Sequence, residues 1–255
     1  EMCIRDSFSD RAFSTRAVWS GTNHLEGSAV TPIFTTSTYQ LNDDRYRDWA
    51  DGGQHSLIYS RWSSVNSEAV ASKVASLEGA EDGETLASGM AAISATLLSM
   101  LSKGDHMVTS PDIYGGTYGL LTSDFPRFGI DVTMADIRDP SSFEAAINEN
   151  TKVLYVETIT NPVLKVCDLE AMASIAKEHG LISVVDNTFA TPWACQPISM
   201  GFDVVIHSGT KFLNGHSDLT AGIVVGRSDL IKGVFKTKTR LGGTADAFMC
   251  YLLER

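Results

Sequence analysis

The residues of chemical interest lie just past apolar runs. Leu181–Asp186 is almost wholly apolar and ends in an acid, followed by Asn187-Thr188. A carboxylate behind such a run faces a pocket of low dielectric, where it is costly without a cation. A protonated ring nitrogen is a suitable partner: at an effective dielectric of about 20 and contact distance, the pair gains roughly 5 kcal/mol before desolvation. The bland alternative is a helix cap or a loop acid. After a second run, Val204–His207, comes Ser208-Gly209-Thr210-Lys211. Burial makes a lysine amine nucleophilic, as Schiff-base chemistry requires, and the two hydroxyls suit phosphate oxygens. A surface turn lysine is the competing reading.

Three further groups are candidates. Ser88-Gly89-Met90 reads as a strand-to-helix turn, where a glycine lets the backbone approach an anion and a helix start offers free N–H groups. Tyr114 follows another strand, and its ring can stack on a planar ligand or simply pack. Tyr59-Ser60-Arg61 sets a phenol and a guanidinium two residues apart, on one side of an extended segment. Together they can grip a phosphate, or belong to an ordinary loop.

The elements that must position these groups alternate from about residue 66 to 226. Asn66 or Ser67 is expected to cap a helix running to Gly79. Strands are expected at Glu84–Ala87, His106–Thr109, Ile130–Ala135, Lys152–Glu157, Leu181–Asp186, Val204–His207 and Gly222–Val225. Helices start after Ser88, at Tyr114, at Asp139-Pro140 and at Asp168, the second of them (counting Ser88 as first) opening on Gly115-Gly116; the helix from Ser88 runs to Gly104-Asp105. Continuous apolar strands fit a parallel sheet covered on both faces, hence an α/β domain of three layers. Ligands in open sheets of this kind gather at the carboxyl ends of the strands. Residues 1–60 read as an N-terminal arm and loops, and 61–255 as the α/β domain. The first seven residues, EMCIRDS, read as a remnant foreign to the native chain, and Phe248–Arg255 as a helix cut short.

The bulk numbers narrow the classes. The chain has 255 residues, 43% hydrophobic and 20% charged, with a formal net charge of −11. That suffices for a substantial core and gives no general attraction for nucleic acid or an anionic membrane. No apolar run reaches the ~20 residues of a bilayer span, and EMCIRDSFSD has no apolar leader segment. Cys3, Cys167, Cys195 and Cys250 are scattered, which suits free thiols in a reducing cytoplasm. The six histidines show no metal-ligand spacing.

In this order, the motifs resemble a known family. Val185-Asp186-Asn187-Thr188-Phe189-Ala190-Thr191-Pro192, His207-Ser208-Gly209-Thr210-Lys211-Phe212 and Gly215-His216-Ser217-Asp218 are similar to the cofactor-lysine signature of the cysteine/methionine-metabolism (trans-sulfuration) enzymes. Tyr59-Ser60-Arg61, Leu77-Glu78-Gly79, Ala87–Ala91, Tyr114-Gly115, Glu157 through Asn161-Pro162 and Thr220-Ala221-Gly222 extend the match. The resemblance implies a fold-type I transferase domain with pyridoxal 5'-phosphate bound covalently to Lys211. It implies that Asp186 pairs with the pyridine nitrogen and that Tyr114 stacks on the ring and helps activate the substrate amine or the leaving group. Gly89, Met90, Ser208 and Thr210 would hold the phosphate, and Asn161 the ring hydroxyl. Tyr59 and Arg61 would reach a neighbouring subunit's phosphate site, in a dimer that shares active sites within a tetramer. The implied reaction is β/γ-elimination or γ-replacement on a sulfur amino acid such as cystathionine or methionine, or on a homoserine ester. A carbon–sulfur lyase is favoured over a synthase or sulfhydrylase.

Departures from the family pattern are Trp62-Ser63-Ser64-Val65-Asn66-Ser67 in place of an Asn-Pro-Thr-like turn, Gly116 where methionine γ-lyases carry cysteine, and Leu241–Asp246. The family's smaller C-terminal domain, with its substrate-carboxylate arginine, is missing from this sequence. A dinucleotide-binding oxidoreductase is disfavoured, since Gly115-Gly116 and Gly242-Gly243 do not form GxGxxG. A non-catalytic fragment or assembly module is the reading from a different class.

Overall fold

The computed structural model describes residues 10–51, 53 and 56–255. The opening EMCIRDS and Cys3 lie outside them. Eleven α-helices occur among the described residues: α1 Phe13–Trp19, α2 Asp43–Ala50, α3 Val65–Glu78, α4 Gly89–Met100, α5 Gly115–Gly119, α6 Phe125–Phe128, α7 Pro140–Ala146, α8 Leu169–Glu178, α9 Thr191–Ala194, α10 Ser228–Leu241 and α11 Ala247–Glu254. A π-helical turn, Leu120–Asp124, joins α5 to α6. The strands are β1 Asp82–Leu86, β2 His106–Thr109, β3 Asp131–Met134, β4 Thr151–Glu157, β5 Ile182–Asp186, β6 Val204–Ser208 and β7 Gly222–Gly226.

The strands form one sheet in the order β1-β7-β6-β5-β4-β2-β3. From β6 to β3 every neighbouring pair is parallel, but β7 runs antiparallel to both β6 and β1. The expected parallel sheet is therefore a mixed one. The reason is that a strand covered on both faces is apolar whichever way it runs, so its direction leaves no mark on the pattern.

The two faces carry separate cores. On one, Val70 and Val74 of α3, Met172 of α8 and Cys250 of α11 pack over Leu154, Val156, Val185 and Val205. On the other, Ile93 and Leu97 of α4 and Ile231 and Val234 of α10 pack over Tyr155, Val184, Ile206 and Val224. This is the three-layer α/β/α arrangement.

Local details differ from the sequence reading. Ser64 rather than Asn66 or Ser67 caps α3, and Ser67 closes a reciprocal capping box with it. Asn66 instead faces the preceding segment, donating to the Pro32 carbonyl and accepting from the Phe34 N–H. Helix α4 ends at Met100, before Gly104-Asp105. Two short helices interrupt the stretch read as arm and loops. The second, α2, has weak apolar periodicity, but Asn42 caps it and Asp43 and Asp44 occupy its first turn.

Candidate active site

Three parallel strand ends converge. Glu157 closes β4 and is the register partner of Asp186, which closes β5. Asp186 in turn faces Ile206 in β6, two residues before Ser208. Strand alternation puts Glu157, Asp186 and Ser208 on the α4 face, with Tyr155, Val184 and Ile206. Beyond Ser208 the chain turns sharply, and the Lys211 N–H donates back to the Ser208 carbonyl. Lys211 therefore stands at the same end of the same strand pair as Asp186. It is exposed, unlike the buried amine expected, because its turn lies past the end of the sheet.

Thr188 ties the two strand ends together. Its N–H donates to Asp186 Oδ1 at 2.9 Å, and its hydroxyl accepts the Ser208 N–H at 2.8 Å. Asp186 is buried, and that burial pushes its carboxyl above the ordinary range; the Thr188 bonds and the charge of His207 oppose the shift. Among the described residues no lysine or arginine forms an ion pair with it. An acid of this kind is suited to a cation supplied from outside the chain.

The flanking groups follow from close backbone approaches. Ser88 caps α4 by accepting the Ala91 N–H, leaving Gly89 and Met90 as its first residues. A Cβ on Gly89 would lie 2.8 Å from Ser208 Cβ and 2.9 Å from its hydroxyl oxygen, so α4 begins against the Ser208 turn. A Cβ on Gly116 would lie 2.6 Å from the Tyr114 ring and 3.0 Å from the Met90 sulfur. Tyr114, Gly116 and Met90 thus form one wall, with the Tyr114 ring half exposed. The Tyr114 and Asn161 N–H groups both donate to Glu157. Thr210 has its hydroxyl engaged with the Ala221 backbone, accepting its N–H at 3.0 Å and donating to its carbonyl at 3.3 Å.

Tyr59 and Arg61 are held by a different set of contacts. The Arg61 guanidinium donates to the Thr239 carbonyl at the end of α10 and sits 5.4 Å from the Tyr59 ring centroid. Beneath them Lys238 bridges the Trp62 carbonyl and Glu84 at 2.8 and 2.6 Å, fixing the segment to β1. Tyr59 and Arg61 are both exposed.

Sequence reasoning gave no role to Glu157, Thr188 or Glu78. Glu78, at the end of α3, is fully buried and accepts from the Asn187 amide at 2.9 Å and pairs with His207 Nε2 at 2.8 Å. It thereby braces the residue after Asp186 and the one before Ser208 from behind. The available signal for Glu157 was positional: an acid ending an apolar strand, as Asp186 does.

Residues 14–255 match the family model described as "Cys/Met metabolism PLP-dependent enzyme". The chain belongs to this family. The family's curated relatives include an L-methionine gamma-lyase of Porphyromonas gingivalis, 40% identical over 95% of this chain and 62% of that protein. A cystathionine gamma-lyase of Bacillus subtilis is 43% identical over 90% of this chain and 59% of its own length. Among solved structures, a cystathionine gamma-lyase from Lactobacillus plantarum complexed with L-serine superposes with a TM-score of 0.88 at 35% identity, covering 96% of this chain and 62% of that one. A Campylobacter jejuni putative O-acetylhomoserine (thiol)-lyase with N'-pyridoxyl-lysine-5'-monophosphate gives a TM-score of 0.90 at 30% identity, covering 95% of this chain and 69% of that one. The chain spans about three fifths of the length of the first curated relatives it matches.

The family's cofactor is pyridoxal phosphate, and the residues present fit it. The buried Asp186, without a lysine or arginine ion pair among the described residues, suits a protonated ring nitrogen, the half-exposed Tyr114 ring offers a stacking surface, and the Gly89–Ser208 approach leaves backbone rather than side chain at the start of α4.

Proposed function

We propose that the whole protein is a PLP-dependent carbon–sulfur lyase acting by β/γ-elimination on a sulfur amino acid of the cystathionine or methionine class, with γ-replacement on a homoserine ester as the alternative. The observation that carries the reading is a buried carboxyl, Asp186, without a lysine or arginine ion pair among the described residues, joined through Thr188 to the turn that bears Lys211. Bound there, pyridoxal phosphate supplies an electron sink for a substrate carbanion. Asp186 would hold the ring nitrogen protonated. Lys211 would anchor the cofactor and then, freed by the substrate amine, carry protons at Cα and Cβ. Tyr114 would stack on the ring and Asn161 would bond its hydroxyl. Gly89, Met90 and Ser208 would receive the phosphate at the start of α4. Thr210, bound to Ala221, would serve by shaping the lysine turn and would turn its hydroxyl to the phosphate only by giving up that bond.

Tyr59 and Arg61 are both exposed, with the guanidinium resting on the Thr239 carbonyl, and that exposure supports a site completed by a second copy. The Arg61 guanidinium and Tyr59 phenol would then grip the other subunit's phosphate, in a dimer within a homotetramer. Among the described residues no helix is long and apolar enough to cross a membrane, and the proposed setting is cytoplasmic.

The test is the visible spectrum of the full-length protein with pyridoxal phosphate. The absorbance band of lysine-bound cofactor is expected, and Lys211→Ala is expected to lose it. An unchanged band in that variant rejects the assignment. Product analysis separates the reaction readings: keto acid and ammonia from cystathionine mark the lyase, whereas a thioether from an activated homoserine and cysteine marks the replacement transferase.

A further inference from the structure

Glu157 takes part in none of the roles above, yet its two carboxyl oxygens go to two of the proposed site residues. Oε1 accepts the Tyr114 N–H at 2.8 Å, and Oε2 accepts the Asn161 N–H at 3.1 Å. The first precedes α5 and the second lies in the loop after β4, so no regular element fixes their separation. Glu157 itself is rigidly held: it is the last residue of β4, 4% exposed, and in register with Asp186 on the neighbouring strand.

We propose that Glu157 is a positioning residue, a two-oxygen clasp that fixes the backbones of Tyr114 and Asn161 relative to each other and to Asp186. The inference rests on the reading of Tyr114, Asn161 and Asp186 as the cofactor's neighbours. It adds that the spacing between the stacking ring and the asparagine is set by one buried acid, which touches neither substrate nor cofactor.

The clasp also has a charge state. Burial, and then the charge of Asp186, raise the Glu157 carboxyl to about 8, while the two N–H bonds oppose the shift. The groups that bear on it are Asp186 from β5, Tyr155 from its own strand, and the Tyr114 and Asn161 N–H groups. His207 acts one step removed, on Asp186, and the Thr117 hydroxyl likewise, on Tyr155. A cation paired with Asp186 offsets that repulsion, the second of the two causes, and so favours ionisation of Glu157; an ionised carboxyl is the better acceptor for both N–H groups. Cofactor binding and loss of the Glu157 proton are thereby coupled.

The experiment is calorimetric titration of full-length apoprotein with pyridoxal phosphate at pH 7, in buffers of different ionisation enthalpy, for wild type and Glu157→Gln. Glutamine keeps the volume but replaces one acceptor oxygen by an NH2 group that cannot accept. The variant is expected to bind about tenfold more weakly and to release fewer protons per cofactor bound, the deficit being at most one. Equal affinity, or equal proton release, overturns the inference. Glu157→Asp retains charge and both oxygens but draws them back by a methylene. It is expected to keep the proton release with reduced affinity, and it carries the test should glutamine impair folding. A wild type that binds pyridoxal phosphate normally beside an indifferent Glu157→Gln sinks the clasp alone; a wild type that fails to bind sinks the underlying functional reading.

Discussion

Gly89 faces Ser208 so closely that a methyl group on its α-carbon would come within 2.8 Å of the serine Cβ. The first residue of one helix is thus pressed onto the last residue of a strand, and nothing larger than hydrogen fits between. Gly89→Ala should force α4 away from the lysine turn. Overpacking of this kind costs about 1–3 kcal/mol, and the displaced N–H groups should weaken phosphate-bearing ligands more than pyridoxal without phosphate. Comparative titration with the two compounds checks this; an equal loss for both contradicts a phosphate seat at this point.

Asp186→Ala should abolish turnover while some cofactor remains attached. The carboxyl's proposed work is to keep a ring nitrogen cationic, whereas attachment belongs to Lys211. Activity assays beside absorbance of the purified variant decide the matter, and full activity would contradict the role given to Asp186.

Glu78 braces the site from the opposite face. It serves the Asn187 amide and His207 together, so Glu78→Ala leaves two buried polar groups without that partner and opens a gap. A loss of about 3–5 kcal/mol is expected, read from denaturant midpoints of the full-length protein. Glu78→Gln, which retains an acceptor oxygen, should lose less. Cofactor affinity should fall along with stability, because Asn187 adjoins Asp186 and His207 adjoins Ser208.

The apoprotein should become less stable as pH rises from about 4.5 to 8. Folding raises the Glu157 carboxyl from its ordinary 4.5 to about 8. Within that window the folded chain holds a proton that the unfolded chain has released. This contribution is fully present below the unfolded value and lost as pH climbs through the folded one. The slope from one such proton is at most about 1.4 kcal/mol per pH unit. Asp186, also raised, adds to it with the same sign. Urea midpoints at pH 5.5 and 8 should show a smaller difference for Glu157→Gln than for wild type; parallel profiles would refute the assignment.

Strands β4 to β7 were legible because each is largely a short apolar run, and His106–Thr109 was read to the residue, whereas the polar Asp82-Gly83 start of β1 was missed. Asp186, Ser208 and Lys211 were legible for a related reason, since they sit where such runs stop. The reversal of β7 was not, because direction is a property of pairing, not of composition. Nor was the cap at Ser64: three polar side chains crowd that helix start, and which one turns inward depends on Pro32 and Phe34 far back in the chain. The part played by Glu157 escaped because its partners are backbone N–H groups, which look alike at every residue. Arg61 could be named as a phosphate ligand, but its seat on the Thr239 carbonyl is a tertiary fact.

The sheet order has a bearing on how the chain comes to be folded. Strand β1 has a single neighbour in the sheet, β7, and Leu86 pairs with Gly222. During synthesis β1 therefore emerges long before anything it can bond to, and the edge of the sheet stays unzipped until residue 226 has left the ribosome. Until then its hydrogen-bonding edge has no sheet partner, and an unpaired edge is one that another nascent chain can join. A closing contact between residues so distant in sequence is of the kind that slows folding.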